Sequence, residues 1–422
     1  MNVEKIVGYQ VLDSRGRPTV AAVLLLSDGT SHTARVPSGA SVGKHEAREL
    51  RDQGTPFAEK NYRGTSVFAA CNNINNLIAP HVHGKYPDLL KTDYFLQTLD
   101  STEDFRNIGA NATLAVSLAI AKAQAHAEKI SLARLFQPEG KLKMPMPMVN
   151  ILSGGAHAKK TMDVQDVLVI AHGAHSFSEA LAWISAIREV AIVNGAKLGA
   201  PTHLVADEGG LAIPFKRVEE ACDFVVSCIE SVGLQPGRDV SLAMDVASTQ
   251  LYHEGSYLLP NAGAKYDAQS FRLFISDLVK NLPLVSIEDP FAEDDWNSWS
   301  EFMEDAPKQL QVVGDDLYTT NLKRLEKGIA ESASNAILVK PNQNGLVTKT
   351  LEVLKAAEAK NFNTIVSARS GETEDSWLAD LAVGWGAGQI KVGSTHGSER
   401  AAKWNRLLEL EATENWEFVS PF

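Results

Sequence analysis

Two rhythms of apolar and polar positions divide the chain. From about residue 5 to about 36 the pattern is strand-like, with candidate strands at Lys5 to Leu12, Thr19 to Leu26 and Ser31 to Val36. Ser27-Asp28-Gly29 supplies the turn between the last two. Helical stretches follow at roughly 66–81, 86–98 and 110–128, and the Ala- and Leu-rich segment Ala110–Ala127 reads as well buried. Strands first and helices after predict an α+β unit over residues 1–135.

Two prolines in Lys141–Pro147 punctuate the chain, and residues 141–422 follow another rhythm. Short apolar runs recur at Met148–Leu152, Val167–Ile170, Val240–Met244, Leu284–Ile287, Leu310–Val313, Ala336–Val339, Thr364–Val366 and Gln389–Val392. Amphipathic helices such as Asn321–Glu331 and Leu346–Ala359 lie between the later ones. This alternation predicts an α/β fold, a (β/α)8 TIM-type barrel carrying its chemistry at the strand C-terminal ends. An open doubly wound sheet is the alternative; no Gly-rich nucleotide fingerprint follows any strand, which disfavours it.

Composition narrows the partners. The 422 residues are 44% hydrophobic and 22% charged, an ordinary globular balance for two domains. Lys plus Arg number 40 against 52 Asp plus Glu, a net charge of −12 that disfavours nucleic acid and anionic membranes. A local positive pocket for an anionic substrate stays compatible with that total. Cys71, Cys222 and Cys228 are odd in number and match no zinc spacing, so buried inert thiols are expected. Met1–Ile6 has no apolar leader core and no run reaches transmembrane length, so the cytoplasm is the expected compartment.

The residues that close the apolar runs carry the chemistry. Asp245 closes Leu242-Ala-Met, Glu288 closes Val285-Ser-Ile, and Asp315 closes Val312-Val-Gly, with Asp316 beside it. Lys340 closes Ile337-Leu-Val, and Lys391 follows Gln389-Ile. Any one of these acids could be a helix N-cap. Three on successive strand ends would instead repel, by about 4 kcal/mol per pair at about 4 Å and an effective dielectric near 20. A hard divalent cation removes that repulsion and suits oxygen ligands, so Mg²⁺ is the natural occupant. Lys340, partly buried near a cation, would have a lowered pKa and serve as general base. The run Ile365-Val ends in Arg369 and Ser370; with Lys391 these form a cationic arc for phosphate or carboxylate. Glu374 and Asp375 suit the N-terminus of the helix that follows. Metal, lysine base and anion clamp together describe proton abstraction beside a carboxylate. Glu208, before Gly209 and Gly210, can approach a ligand closely or simply cap a turn. His157 lies on a glycine-softened loop and by itself says little.

These motifs run nearly end to end through a known family. Asp13-Ser-Arg-Gly16, Pro37-Ser-Gly-Ala-Ser41, Glu49-Leu-Arg-Asp52, Asp207-Glu-Gly-Gly210, Ala243-Met-Asp245, Ser286-Ile-Glu-Asp289, Gly314-Asp-Asp-Leu317, Ser370-Gly-Glu-Thr-Glu-Asp375 and Gly388-Gln-Ile-Lys391 make the chain resemble enolase, the phosphopyruvate hydratase. The resemblance implies an N-terminal cap on a barrel whose second strand is antiparallel, and a homodimer. It implies Mg²⁺ on Asp245, Glu288 and Asp315, and a second Mg²⁺ arriving with substrate through its phosphate and Ser41, on a loop that closes as a lid. Lys340 would take the C2 proton of 2-phosphoglycerate and Glu208 would assist departure of the C3 hydroxyl. Lys391 would bind carboxylate and Arg369 with Ser370 the phosphate, while His157 and Asp166 would line the leaving-group side.

Some positions depart from the family. Ala368 stands where His is usual, Asp166 where Glu is usual, Ser153 for Asn, Val42 for Thr or Ser, and Asn344 for an apolar residue. Ala21 and Glu409 replace a Glu and an Arg that pair across the family's dimer. Ala368 and the shorter Asp166 should make the leaving-group side larger and wetter. That leaves two alternatives to plain enolase: a paralogue dehydrating a bulkier 2-phosphorylated hydroxy acid, and a non-catalytic binding protein on the same fold. A dehydratase or racemase acting on an unphosphorylated acid is disfavoured by the intact anion clamp.

Overall fold

The computed structural model describes residues 1–40, 43–54 and 59–422. An antiparallel meander opens the chain, formed by β1 (Val3–Leu12), β2 (Pro18–Leu26) and β3 (Ser31–Arg35). Helix α1 (Ala110–Glu128) packs against β2 and β3. Its apolar surface runs nearly all round, as a helix between two layers requires. The second layer is the loop after Lys340. Thr113 donates its hydroxyl to the Gly345 carbonyl at 2.8 Å, and the Val347 N–H donates to the Ser117 hydroxyl at 3.1 Å. Gly345 sits at φ +89°, and a Cβ there would lie 3.0 Å from the Phe105 ring and 3.1 Å from the Ala110 Cβ. The cap thereby presses directly on the segment that carries Lys340.

The helix expected over 66–81 is interrupted. An α-turn at Phe68–Asn73 passes into a π-helical turn at Ile74–Ile78. The wider turn lets the Asn75 amide reach sideways, accepting from the Gly8 N–H at 2.8 Å and donating to the Gly8 carbonyl at 3.0 Å.

All eight apolar runs form one closed barrel. Its strands in chain order are β4 (Met146–Ser153), β5 (Asp166–Ile170), β6 (Ser241–Asp245), β7 (Leu284–Glu288), β8 (Gln311–Gly314), β9 (Ala336–Val339), β10 (Asn363–Ser367) and β11 (Gln389–Gly393). β5 runs antiparallel to both neighbours; the other pairings are parallel. The cause is the helix-free connection 154–165, which returns the chain as a hairpin rather than a crossover. Reversal puts the first residue of β5, Asp166, on the rim where the other strands end, opposite Asp245 in register. Inside the barrel, Met146, Met148, Leu168, Ile170, Ala243, Val313, Ala336, Leu338 and Ile365 fill the core. The three cysteines are buried and unpaired by disulfides, and no helix among the described residues is long and apolar enough to cross a membrane.

Candidate active site

The strand ends meet as the barrel geometry requires. Glu288 and Asp245 stand side by side in the β6–β7 register, and Lys391 reaches both: its Nζ lies 2.9 Å from Asp245 Oδ2 and 2.7 Å from Glu288 Oε2. Burial opposes the ammonium, but the two carboxylates outweigh it and push Lys391 well above the usual lysine range. Burial and the neighbouring Asp245 charge push Glu288 up. Glu288 Oε1 is buried with no hydrogen-bond partner. An unsatisfied carboxylate oxygen among acids and hard oxygen donors fits a cation ligand.

Lys340 projects just past β9 and its Nζ is ion-paired with Asp315 Oδ2. Burial lowers its pKa, but Asp315 more than offsets this and the net direction is upward. The lowering expected from sequence needs a cation's charge beside the lysine; here its nearest charge is a carboxylate. Asp315 Oδ1 accepts from the Gln343 amide at 3.1 Å. Asp289 accepts the backbone N–H groups of Asp315 and Asp316 at 2.9 and 2.8 Å, fixing the turn that presents Asp315. Burial and Asp315 beside it push Asp316 up to about 8.

Among the described residues, two groups have metal-capable atoms mutually within 4.8 Å: His157 with Asp166 and Glu208, and Asp289 with Asp315 and Asp316. Asp245, Glu288 and Asp315 are not such a group. Lysine ammoniums are seated among these three carboxylates, Lys391 between Asp245 and Glu288 and Lys340 beside Asp315.

Arg369 is buried and faces the cap. It donates to Glu46 Oε2 at 2.9 Å and Oε1 at 3.2 Å, and to the Asn342 side chain at 3.0 Å. Glu46 also accepts the Gly43 N–H at 2.9 Å. Ser38 and Gly371 exchange two backbone hydrogen bonds of 2.9 Å. This approach needs glycine, because a Cβ on Gly371 would lie 2.2 Å from Asp13 Oδ2. Both ends of the loop carrying Ser41 are therefore tied to the Arg369–Gly371 turn; Ser41 and Val42 themselves lie outside the described residues.

Opposite Lys340 sits a carboxylate–imidazole–carboxylate row. Asp166 Oδ2 is 2.9 Å from His157 Nδ1, and His157 Nε2 is 3.5 Å from Glu208 Oε1 and 3.4 Å from the Ser370 hydroxyl. Burial alone would push His157 down, but Glu208 and Asp166 reverse this and lift it to about 9. Glu208 Oε2 accepts from the Asn150 amide at 3.2 Å. Gly209, at φ +82°, would bring a Cβ 2.5 Å from the His396 carbonyl, so the turn bearing Glu208 is packed tightly. Ala368 is buried, and its N–H donates to the Lys391 carbonyl at 2.9 Å.

Several supporting residues escaped sequence reasoning. Arg400 is fully buried and donates to four carbonyls: Arg369 at 2.7 Å, Val392 at 2.9 Å, Asp207 at 3.2 Å and Ser370 at 2.7 Å. It lies on the last long helix (Ser398–Thr413), away from any strand end. Glu46, Asp289 and Gln343 are likewise polar residues with charged or backbone partners distant in sequence: Arg369, the Asp315–Asp316 turn and Asp315. Asp289 alone had a local signal, the pair Glu288-Asp289. Glu374 and Asp375 precede the helix that starts at Trp377 without capping it. Asp375 binds the cap domain instead, through Lys122 at 2.6 Å and the Arg35 N–H at 3.0 Å.

Comparison with known proteins agrees with this geometry. The profile described as "Enolase, N-terminal domain" matches residues 3–136, and "Enolase, C-terminal TIM barrel domain" matches 141–417. The enolase of Wolinella succinogenes is 42% identical over 414 residues, covering 97% of this chain and 96% of its own. That of Helicobacter hepaticus is 43% identical over 413 residues, and that of a Nitratiruptor species 42% over 410, each with coverage of 97% and 96%. These relatives lend no support to the bulkier-substrate or non-catalytic alternatives. With a closed barrel, acids and lysines on its rim, and identity along nearly its whole length, the chain belongs to the enolase family of carbon–oxygen lyases.

Proposed function

We propose that the chain catalyses the reversible, Mg²⁺-dependent dehydration of 2-phosphoglycerate to phosphoenolpyruvate. The observation that carries this reading is the placement of Lys340 and the Glu208–His157 pair in one site, with acids between them. Lys340 removes the proton at C2. Glu208, with His157 beside it, supports protonation of the departing C3 hydroxyl. Lys391 holds the substrate carboxylate, and Arg369 with Ser370 holds the phosphate, all from a buried rim where charge–charge contacts are strong.

Asp245, Glu288 and Asp315 would hold one Mg²⁺, and the orphaned Glu288 Oε1 supports that assignment. Ser41 with substrate phosphate would hold a second. When bound, divalent cations supply the positive charge that offsets an enolate next to a carboxylate. Lys391 and Lys340 sit beside these carboxylates as counter-charges and leave Glu288 Oε1 open.

Residues 1–135 serve as a cap and 141–422 as the catalytic barrel of a cytoplasmic homodimer. Ala21 has no exposed surface and Glu409 pairs with Arg406 of its own helix at 2.8 Å, so neither residue supplies the cross-subunit pair common in the family.

Hydrogen exchange tests the base. In D₂O with Mg²⁺, wild type should exchange the C2 proton of 2-phosphoglycerate, and Lys340→Ala should not. Exchange that survives Lys340→Ala would assign the base elsewhere.

A further inference from the structure

Ser153 and Asp166 face each other across the antiparallel β4–β5 pair, and neither has exposed surface. Ser153 donates its hydroxyl to Asp166 Oδ1 at 2.6 Å, while Asp166 Oδ2 takes His157 Nδ1 at 2.9 Å. Both oxygens of this carboxylate are thus engaged within the protein. Space around the pair is closed. A Cβ on Gly210 would lie 2.3 Å from Ser153 Oγ, and one on Gly154 would lie 2.6 Å from the Val164 carbonyl. The Ser153 hydroxyl and the loop bearing His157 are held by these close approaches.

We propose that Asp166, locked by Ser153, is a positioning residue that orients His157 toward Glu208 and Ser370 and does not itself touch substrate. A carboxylate behind an imidazole keeps a proton on the nitrogen that faces it and fixes where the ring points. Here it leaves Nε2 directed at Glu208 Oε1 and the Ser370 hydroxyl. The short side chain of Asp166 fits this duty: from the strand's first position it meets Ser153 on one side and His157 on the other. The elevated pKa of His157 agrees with a ring held between two carboxylates. The inference rests on the proposed reaction for the role of Glu208, but the orientation of His157 is independent of it.

Two readouts separate the two claims. The full-length protein labelled with ¹⁵N-histidine, with His157→Gln for assignment, should show a slowly exchanging, downfield Nδ1 proton on His157. Asp166→Asn should abolish that signal, and Ser153→Ala should speed its exchange at least about tenfold. With 2-phosphoglycerate and Mg²⁺, kcat should fall about 10-fold in Ser153→Ala and about 100-fold in Asp166→Asn, the range for loss of an orienting partner, with KM within about threefold. An unchanged His157 signal in the variants overturns the proposal. So does a raised KM at unchanged kcat in Asp166→Asn, which would make Asp166 a substrate contact. If Asp166→Asn fails to fold, Ser153→Ala decides. If wild type forms no phosphoenolpyruvate, the reaction is lost while the histidine signal still tests the lock.

Discussion

Lys391 Nζ joins Asp245 Oδ2 at 2.9 Å to Glu288 Oε2 at 2.7 Å, so one ammonium bridges the carboxylates of two adjacent strands. Removing it leaves both acids buried and facing each other. Lys391→Met should therefore lower unfolding stability in chelator by about 3–5 kcal/mol. Added Mg²⁺ should stabilise the variant more than wild type, because the two buried carboxylates then have no ammonium to neutralise them. Urea melts with and without Mg²⁺ measure this; an absence of Mg²⁺ stabilisation in both proteins would remove the carboxylates as ligands.

The Glu46–Arg369 pair spans cap and barrel, with both side chains about 95% buried. Glu46→Ala leaves a buried guanidinium short of its carboxylate and frees the Gly43 N–H. A loss of about 3–5 kcal/mol is expected in urea unfolding. Because Glu46 ends the loop that carries Ser41, the same variant should also weaken inorganic phosphate binding, measured by calorimetry in the presence of Mg²⁺.

Ala368 is packed in the apolar core beside the anion clamp, where the family usually has an imidazole. Ala368→His should raise kcat on 2-phosphoglycerate by about tenfold if the missing ring is a proton carrier or charge partner. Overpacking should cost about 1–3 kcal/mol of stability. Steady-state rates and melting curves check both; an unaltered kcat in a folded variant would make the alanine neutral.

Asp93 supplies a pH test away from the site. It is fully buried, accepts the Thr348 N–H at 3.0 Å and hydroxyl at 2.8 Å, and has the Ser117 hydroxyl beside it. Burial raises its pKa to about 6 despite those bonds. A carboxyl whose folded pKa exceeds its unfolded value favours the native state when protonated. Its effect is nil below pH of about 4, grows as pH rises to about 6, and above that destabilises by about 3 kcal/mol. Asp93→Asn should raise the melting temperature at pH 8 and leave it unchanged at pH 4.

The barrel was legible because its strands are apolar runs buried on both faces, each closed by a charge. The rim acids and lysines were legible for the same reason: polar residues ending such runs must face a common rim. The antiparallel turn of β5 was not available from periodicity, since a buried strand reads alike in either direction; only the family resemblance implied it. The pairing of Lys391 with Asp245 and Glu288, and of Lys340 with Asp315, was not legible either. Sequence argument assigned the acids to metal and the lysines to substrate, yet opposite charges on one rim also satisfy each other. Arg400 and Glu46 hold carbonyls and a guanidinium contributed from far along the chain, and nothing near them in sequence announces those partners.

The most direct test is phosphoenolpyruvate formation from 2-phosphoglycerate by wild type and by Glu288→Gln, each with Mg²⁺ and with chelator. The account predicts product from wild type only with Mg²⁺, and a rate reduced at least about 100-fold in the folded variant. Product formed equally well in chelator, or none from folded wild type with Mg²⁺, would contradict it.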